Sequence, residues 1–241
     1  MPLSATAPTA THLNPLDDSA ALSWSEKRLP ALLSVIAGMV DLTGFLTLGN
    51  IFTAHITGNL VLVAAVAVRG GPINPAQALA IPVFILAVAA VWLIARASGR
   101  NGPDLMRLLL LLQFLLLLGV LVFAVITKAS ADPHGLMAGI AAMIAVAAMA
   151  CQFALLRLAL PRAPSTAVMT GNLTNAVLAL LDWLQHNGPI SAGAADRLRS
   201  ALQLLLGFLA GCIVAAAAVA WLGDWTWGLP VALAGIAALL R

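Results

Sequence analysis

The sequence predicts an all-α, polytopic transmembrane helix bundle built from two inverted repeats, and three observations carry that expectation. The chain is 62% hydrophobic and only 9% charged, with a mean hydropathy of +1.02, where a soluble domain carries roughly 25% charged residues. Six long apolar runs divide it, at about residues 31–49, 76–96, 105–127, 136–158, 200–222 and 227–240. Finally, Thr-Gly-Asn occurs twice inside apolar sequence, as Thr57-Gly58-Asn59 and Thr170-Gly171-Asn172, 113 residues apart in a chain of 241. Polar groups at membrane depth cost several kcal/mol unless they find partners. Two such insertions with the same letters read as a duplicated element.

Taken in order, residues 1–30 are polar and mixed, with Asp17, Asp18, Glu26, Lys27 and Arg28. They lack the basic start and short apolar core of a cleaved signal peptide and read as a disordered cytoplasmic tail. Residues 31–241 form a single transmembrane domain, with repeat one at about 31–127 and repeat two at about 136–240. A span needs about 20 residues at 1.5 Å each. The first five runs meet that length. The sixth, WGLPVALAGIAALL, is short, and Trp221, Trp225 and Trp227 mark a membrane interface just before it. Within the third run, Leu108–Ile126 is nearly all Leu and Val, with Gln113 as its polar exception, and is expected to face lipid.

Two further apolar segments, about 51–68 and 166–183, contain the repeated motif. If each crosses the membrane, the chain has eight spans and parallel repeats. If each dips in and returns, it has six full spans plus two re-entrant segments, and three crossings per half invert the second repeat relative to the first. Basic residues separate the two topologies. Eight crossings with a cytoplasmic N-terminus divide the twelve Lys and Arg residues 7 to 5. Re-entry divides them 10 to 2, with only Arg69 and Lys128 outside, as the excess of positive charge in cytoplasmic loops favours. This arrangement puts the N-terminus on the cytoplasmic side.

Thr is a good N-cap residue and Gly allows close backbone approach. Apolar helical sequence follows each motif, so Thr57 and Thr170 are expected to start half-helices whose N–H groups point to a shared position near the bilayer centre. That arrangement suits an anion or a neutral solute with acceptor oxygens. The alternative is a close-packing and capping device between helices. Asp41 is the one acidic residue well inside a full span, and Ser34, Ala37, Gly38 and Gly44 share its helical face. A face of small residues packs against protein, and a protonatable group at that depth can couple proton movement to transport. The other reading is a structural hydrogen bond to the motif loop, to Thr57 or Asn59.

His55 and Asn50 precede the first motif, and Gln152 stands in the second half near the position of Asp41, as Asn175 follows the second motif. His55 serves as a gate or proton relay, or as an ordinary loop histidine near the outer surface. Gly207 and Gly211 form G-x-x-x-G, which fits close helix packing or a homo-oligomer. Cys151 and Cys212 lie in apolar segments as small core residues. No nucleophile–base motif, phosphate loop or metal-ligand set is present, so neither catalysis nor a cofactor is expected. The scattered basic residues do not form a nucleic-acid surface.

Two stretches resemble a known family. AGMVDLTGFLTLGNIFTAHITGNLVL (Ala37–Leu62) is similar to the opening block of the YoaK-like bacterial membrane proteins, a domain of unknown function. CQFALLRL followed by STAVMTGNLTN is similar to that family's second block, with the departure that Gln152 is followed by Phe153 rather than Asn. The resemblance implies a multi-spanning bacterial inner-membrane protein and supplies no substrate. The expectation from the residues is passage of a small solute or ion, by a carrier or a passive channel. A non-transporting structural or regulatory membrane subunit is the alternative.

Overall fold

The computed structural model describes residues 24–161, 163–166, 169–185 and 192–239. Among the described residues eight α-helices form in chain order: α1 (Trp24–Thr47), α2 (Gly58–Arg69), α3 (Pro75–Ser98), α4 (Gly102–Thr127), α5 (Leu136–Ala159), α6 (Met169–Gln185), α7 (Ala192–Leu222) and α8 (Gly228–Leu239). Short 3₁₀ turns at Ala129–Ala131 and Gly223–Trp227 precede α5 and α8. Among the described residues there is no strand. Five stretches of the described residues are long and apolar enough to cross a membrane: 28–47, 75–98, 102–127, 136–159 and 195–239, the last joining α7 to α8. The chain is a multi-pass membrane protein.

The helix boundaries follow local chemistry. Asn74 caps α3, its side chain accepting from the Ala76 N–H at 3.0 Å with Pro75 in the first turn. Gly70 ends α2 in the left-handed region, at φ 75°. α1 begins at Trp24, ahead of the apolar run, and carries Pro30. Residues 1–23 of the expected tail lie outside the described residues.

α1 and α5 form the interior, while α3 is mostly peripheral. α1 packs along α7 in a parallel seam of small residues. A Cβ on Gly207 would sit 3.1 Å from the Ala31 carbonyl oxygen, and one on Gly38 or Gly211 would collide with the backbone of Phe208 or Val35. Ser34 Oγ donates to the Leu204 carbonyl at 2.6 Å across the same seam. The G-x-x-x-G glycines are thus engaged in intrachain packing, Gly211 buried and Gly207 half-buried. α4 differs from the expected lipid-facing rod. Leu105, Leu109, Gln113, Leu117, Val120 and Ala124 form a buried stripe, while Leu111, Leu115 and Ile126 are exposed. A uniformly apolar sequence hides which face meets protein.

Hydrogen bonds gather particular helix ends. Asn74 Nδ2 donates to the Gly49 carbonyl at 3.1 Å, and Gln77 Nε2 to the Asn50 carbonyl at 3.1 Å. The end of α1 therefore lies beside the start of α3, with α2 between them in sequence. Gly49 also abuts Pro133 and His134, just before α5. Ser130 donates through its N–H and its hydroxyl to Asp224, joining the turn after α4 to the turn after α7. Near the opposite ends, Gln152 Nε2 donates to the Leu33 carbonyl at 3.0 Å, so the start of α1 meets the end of α5.

Candidate functional site

The loop between α1 and α2 is folded around one carboxylate. Asp41, six residues before the end of α1, is only 5% exposed. Its Oδ1 accepts from the N–H groups of Thr53 at 2.8 Å, Ala54 at 2.7 Å and His55 at 3.3 Å. Its Oδ2 lies 2.7 Å from His55 Nδ1. Three converging N–H donors supply the stabilisation that a buried carboxylate needs. Gly44 makes the approach possible, because a Cβ there would stand 2.9 Å from Thr53 Cγ2. The His55 side chain is 38% exposed. Its ring lies edge-on to Phe208, with centroids 5.1 Å apart and planes at 77°. His55 is therefore tied to Asp41 as a partner in the loop.

The first motif braces the same loop. Asn59 is fully buried. Its Oδ1 accepts from the Phe52 N–H at 2.9 Å, and its Nδ2 donates to the Phe52 carbonyl at 2.7 Å. Gly58 lets the Phe52 ring approach, since a Cβ there would sit 2.9 Å from Phe52 Cδ2. Thr57 is exposed and makes no side-chain cap. The N–H groups of Gly58, Asn59 and Leu60 bond to the carbonyls of His55, Ile56 and Thr57. The opening donors of α2 are spent on the loop itself.

The second motif repeats the brace. Asn172 Nδ2 donates to the Ser165 carbonyl at 2.9 Å, again seven residues upstream. Thr170 is exposed, and its carbonyl accepts from the Thr174 hydroxyl. In place of the acid stands Gln152, whose Nε2 donates to Thr166 Oγ1 at 3.4 Å. Its Oε1 accepts from Gln113 Nε2 at 2.7 Å, with both amides fully buried. Phe52, Thr53 and Asn59 thus match Ser165, Thr166 and Asn172 in register.

The structure brings Asp41, His55, Gly58 and Asn59 together, and separately Gln152 and Asn172. Thr57, Thr170, Asn50 and Asn175 are exposed. Gly171 is half-buried in the first turn of α6. Sequence reasoning missed Thr53, Thr166, Gln113 and Phe208. A signal for the first two was present, since the repeated unit is longer than three letters: Thr53-Ala54-x-x-Thr57-Gly58-Asn59 recurs as Thr166-Ala167-x-x-Thr170-Gly171-Asn172. Phe208 comes from a helix 153 residues away in sequence and has no such signal. Among the described residues no group of three or more His, Cys, Asp or Glu side chains could hold a metal ion.

A family profile described as a protein of unknown function (DUF1275) matches residues 29–240. Similarity also extends to the UPF0700 transmembrane protein YoaK of Bacillus subtilis (strain 168), at 56% identity over 34 residues. That match covers 14% of this chain and 15% of the relative. No solved structure matches.

Proposed function

The chain belongs to the DUF1275 family of proteins of unknown function, and from that premise we propose that it is a non-enzymatic membrane transport protein that passes a small solute or ion beside the Asp41–His55 pair. The observation that carries this is the 2.7 Å contact between a buried carboxylate and a half-exposed imidazole in a loop enclosed by apolar helices. Intramembrane ionisable groups commonly mark solute or proton pathways. Asp41 engages Nδ1, which leaves Nε2 of this 38% exposed side chain as the nitrogen that would meet a solute or proton, with the ring edge-on to Phe208. The Thr-Gly-Asn units brace the two loops through Asn59 and Asn172, and Thr57 and Thr170 stand exposed beside them.

The proposed topology is six spans with two re-entrant segments in inverted repeats, in a bacterial plasma membrane with a cytoplasmic N-terminus. α2 has 12 residues, about 18 Å of helix against roughly 30 Å of hydrocarbon. The adjacency of the end of α1 and the start of α3 supports its return to the face it left. Helix pairing supports two related halves. α1 packs on α7 as α3 packs on α5, α2 on α3 as α6 on α7, α4 on α5 as α8 on α1, and α4 pairs with α8.

A second reading is favoured by one observation: both polar atoms of Asn59 are used within the loop, as a rigid, non-transporting membrane subunit requires. Accessibility separates the two. With Cys151 and Cys212 replaced by alanine, His55→Cys should react with a small hydrophilic thiol reagent in intact membranes, and liposomes holding the unsubstituted protein should show ion or proton flux that His55→Ala abolishes. An unreactive Cys at position 55, with no flux across a panel of ions and small solutes, would establish the structural subunit instead.

A further inference from the structure

A second feature lies apart from the Asp41 loop. α3, α4 and α5 enclose a cavity of about 620 Å³, within the roughly 300–1,000 Å³ range of ligand sites. Its walls are apolar, with Leu79 from α3, Leu116 from α4 and Met143, Ile144 and Ala147 from α5. Its polar side chains, Asn74 and His134, sit together at one end. That end is the face where the end of α1 meets the starts of α3 and α5. Asn74 is committed to Gly49 and to the α3 cap, while His134 is exposed.

The dimensions identify an occupant. Along α5 the lining runs from Leu136 to Ala147, a rise of about 16 Å, close to half of a roughly 30 Å hydrocarbon core. The rim residues Leu79 and Leu136 are exposed, so in a multi-pass membrane protein the opening faces lipid. A slot one leaflet deep, apolar along its length and polar only at the loop end, matches a chain with a head group. We infer that this crevice binds one acyl chain of a membrane phospholipid, with the head group beside His134. The inference is independent of transport, because it requires only that α3, α4 and α5 span.

The test uses the full chain, purified in a mild detergent and given a phosphatidylethanolamine carrying a photoreactive diazirine midway along one acyl chain. Cross-links are expected on α4 and α5 near Leu116, Met143 and Ile144. Native mass spectrometry should show one retained lipid. Ala147→Phe, which fills the deep end, should weaken that retention at least tenfold. Leu209→Phe, on the exposed face of α7, should leave it unchanged, and both variants should keep the wild-type melting temperature within a few degrees. If Ala147→Phe misfolds, Ala147→Leu gives a milder filling with the same expected direction. Cross-links scattered over α7 and the other exposed faces would mean ordinary annular lipid and overturn the proposal. A dimer in place of a bound lipid, lost in Ala147→Phe, would overturn it in favour of a second copy.

Discussion

Removing the Asp41 carboxylate tests the loop architecture with a magnitude that follows from its bonds. In Asp41→Ala the Thr53 and Ala54 N–H groups, now bonded at 2.8 and 2.7 Å, lose their acceptor inside a buried site. Each stranded donor costs about 1–3 kcal/mol. The His55 N–H at 3.3 Å adds little. Loss of the imidazole partner is discounted because that ring is 38% exposed. The expected destabilisation is about 3–5 kcal/mol, in the range for breaking a buried pair. Asp41→Asn keeps one carbonyl oxygen for the loop donors and puts an NH₂ against Nδ1, which accepts in the other tautomer. It should cost only about 1–2 kcal/mol. The assay is equilibrium unfolding in mixed detergent micelles, with near-ultraviolet circular dichroism as the readout. A double-mutant cycle with His55→Ala should return a coupling of about 1 kcal/mol. Asp41→Ala and Asp41→Asn both within about 0.5 kcal/mol of wild type would refute the carboxylate as the organiser of the loop.

Three further outcomes are expected. Asn59→Ala removes two bonds of a buried side chain and should destabilise by about 2–3 kcal/mol, Asn172→Ala removes at least the bond to Ser165 and should cost about 1 kcal/mol or more, and Thr57→Ala should stay within about 0.5 kcal/mol, all by the same unfolding assay. Gly211→Ala places a methyl against the Val35 carbonyl and should cost about 1–3 kcal/mol, seen as a lower melting temperature in detergent, whereas Ala210→Leu on the exposed side of α7 should not. In a background lacking Cys151 and Cys212, Ile73→Cys should react with an impermeant thiol reagent on intact cells and Asn101→Cys only after permeabilisation. The reverse pattern at position 73 would require α2 to cross the membrane.

Most of the helices were legible because the signal is composition over long windows. The run expected at 136–158 forms α5 over 136–159, and that at 105–127 forms α4 over 102–127. Helix faces were less legible. Spans carry little amphipathic contrast, so the buried stripe of α4 is invisible until α5 supplies a partner. Asp41 stood out because a carboxylate in apolar sequence demands compensation, and its small-residue neighbours correctly indicated a protein contact. The expected partners, Thr57 and Asn59, were displaced by the backbone of residues 53–55. Backbone donors carry no residue signature, and only the folded turn shows where three of them converge. For His55 the sequence leaves both a gate or relay and an ordinary loop residue open, because nothing in its neighbourhood reveals that the loop doubles back onto α1.

The unequal halves bear on why the acid is there at all. Both loops are pinned from a neighbouring helix, and both are braced by an asparagine reaching seven residues back. In the second half the pin is neutral: Gln152 reaches Thr166 while Gln113 supports it. A buried amide therefore suffices to hold such a loop, without the desolvation cost of an ion. Stability alone gives no reason to place a carboxylate and an imidazole in the first half, where an amide of similar size fills the same geometric role. The additional property that the Asp41–His55 pair brings is protonation: a proton can be gained or lost at a half-exposed ring while the loop remains anchored through Oδ1. On that ground Asp41→Asn, which spares most of the anchoring, is the decisive substitution for function. It should leave a folded protein that has lost its flux, and retained flux would rule the pair out as the working element.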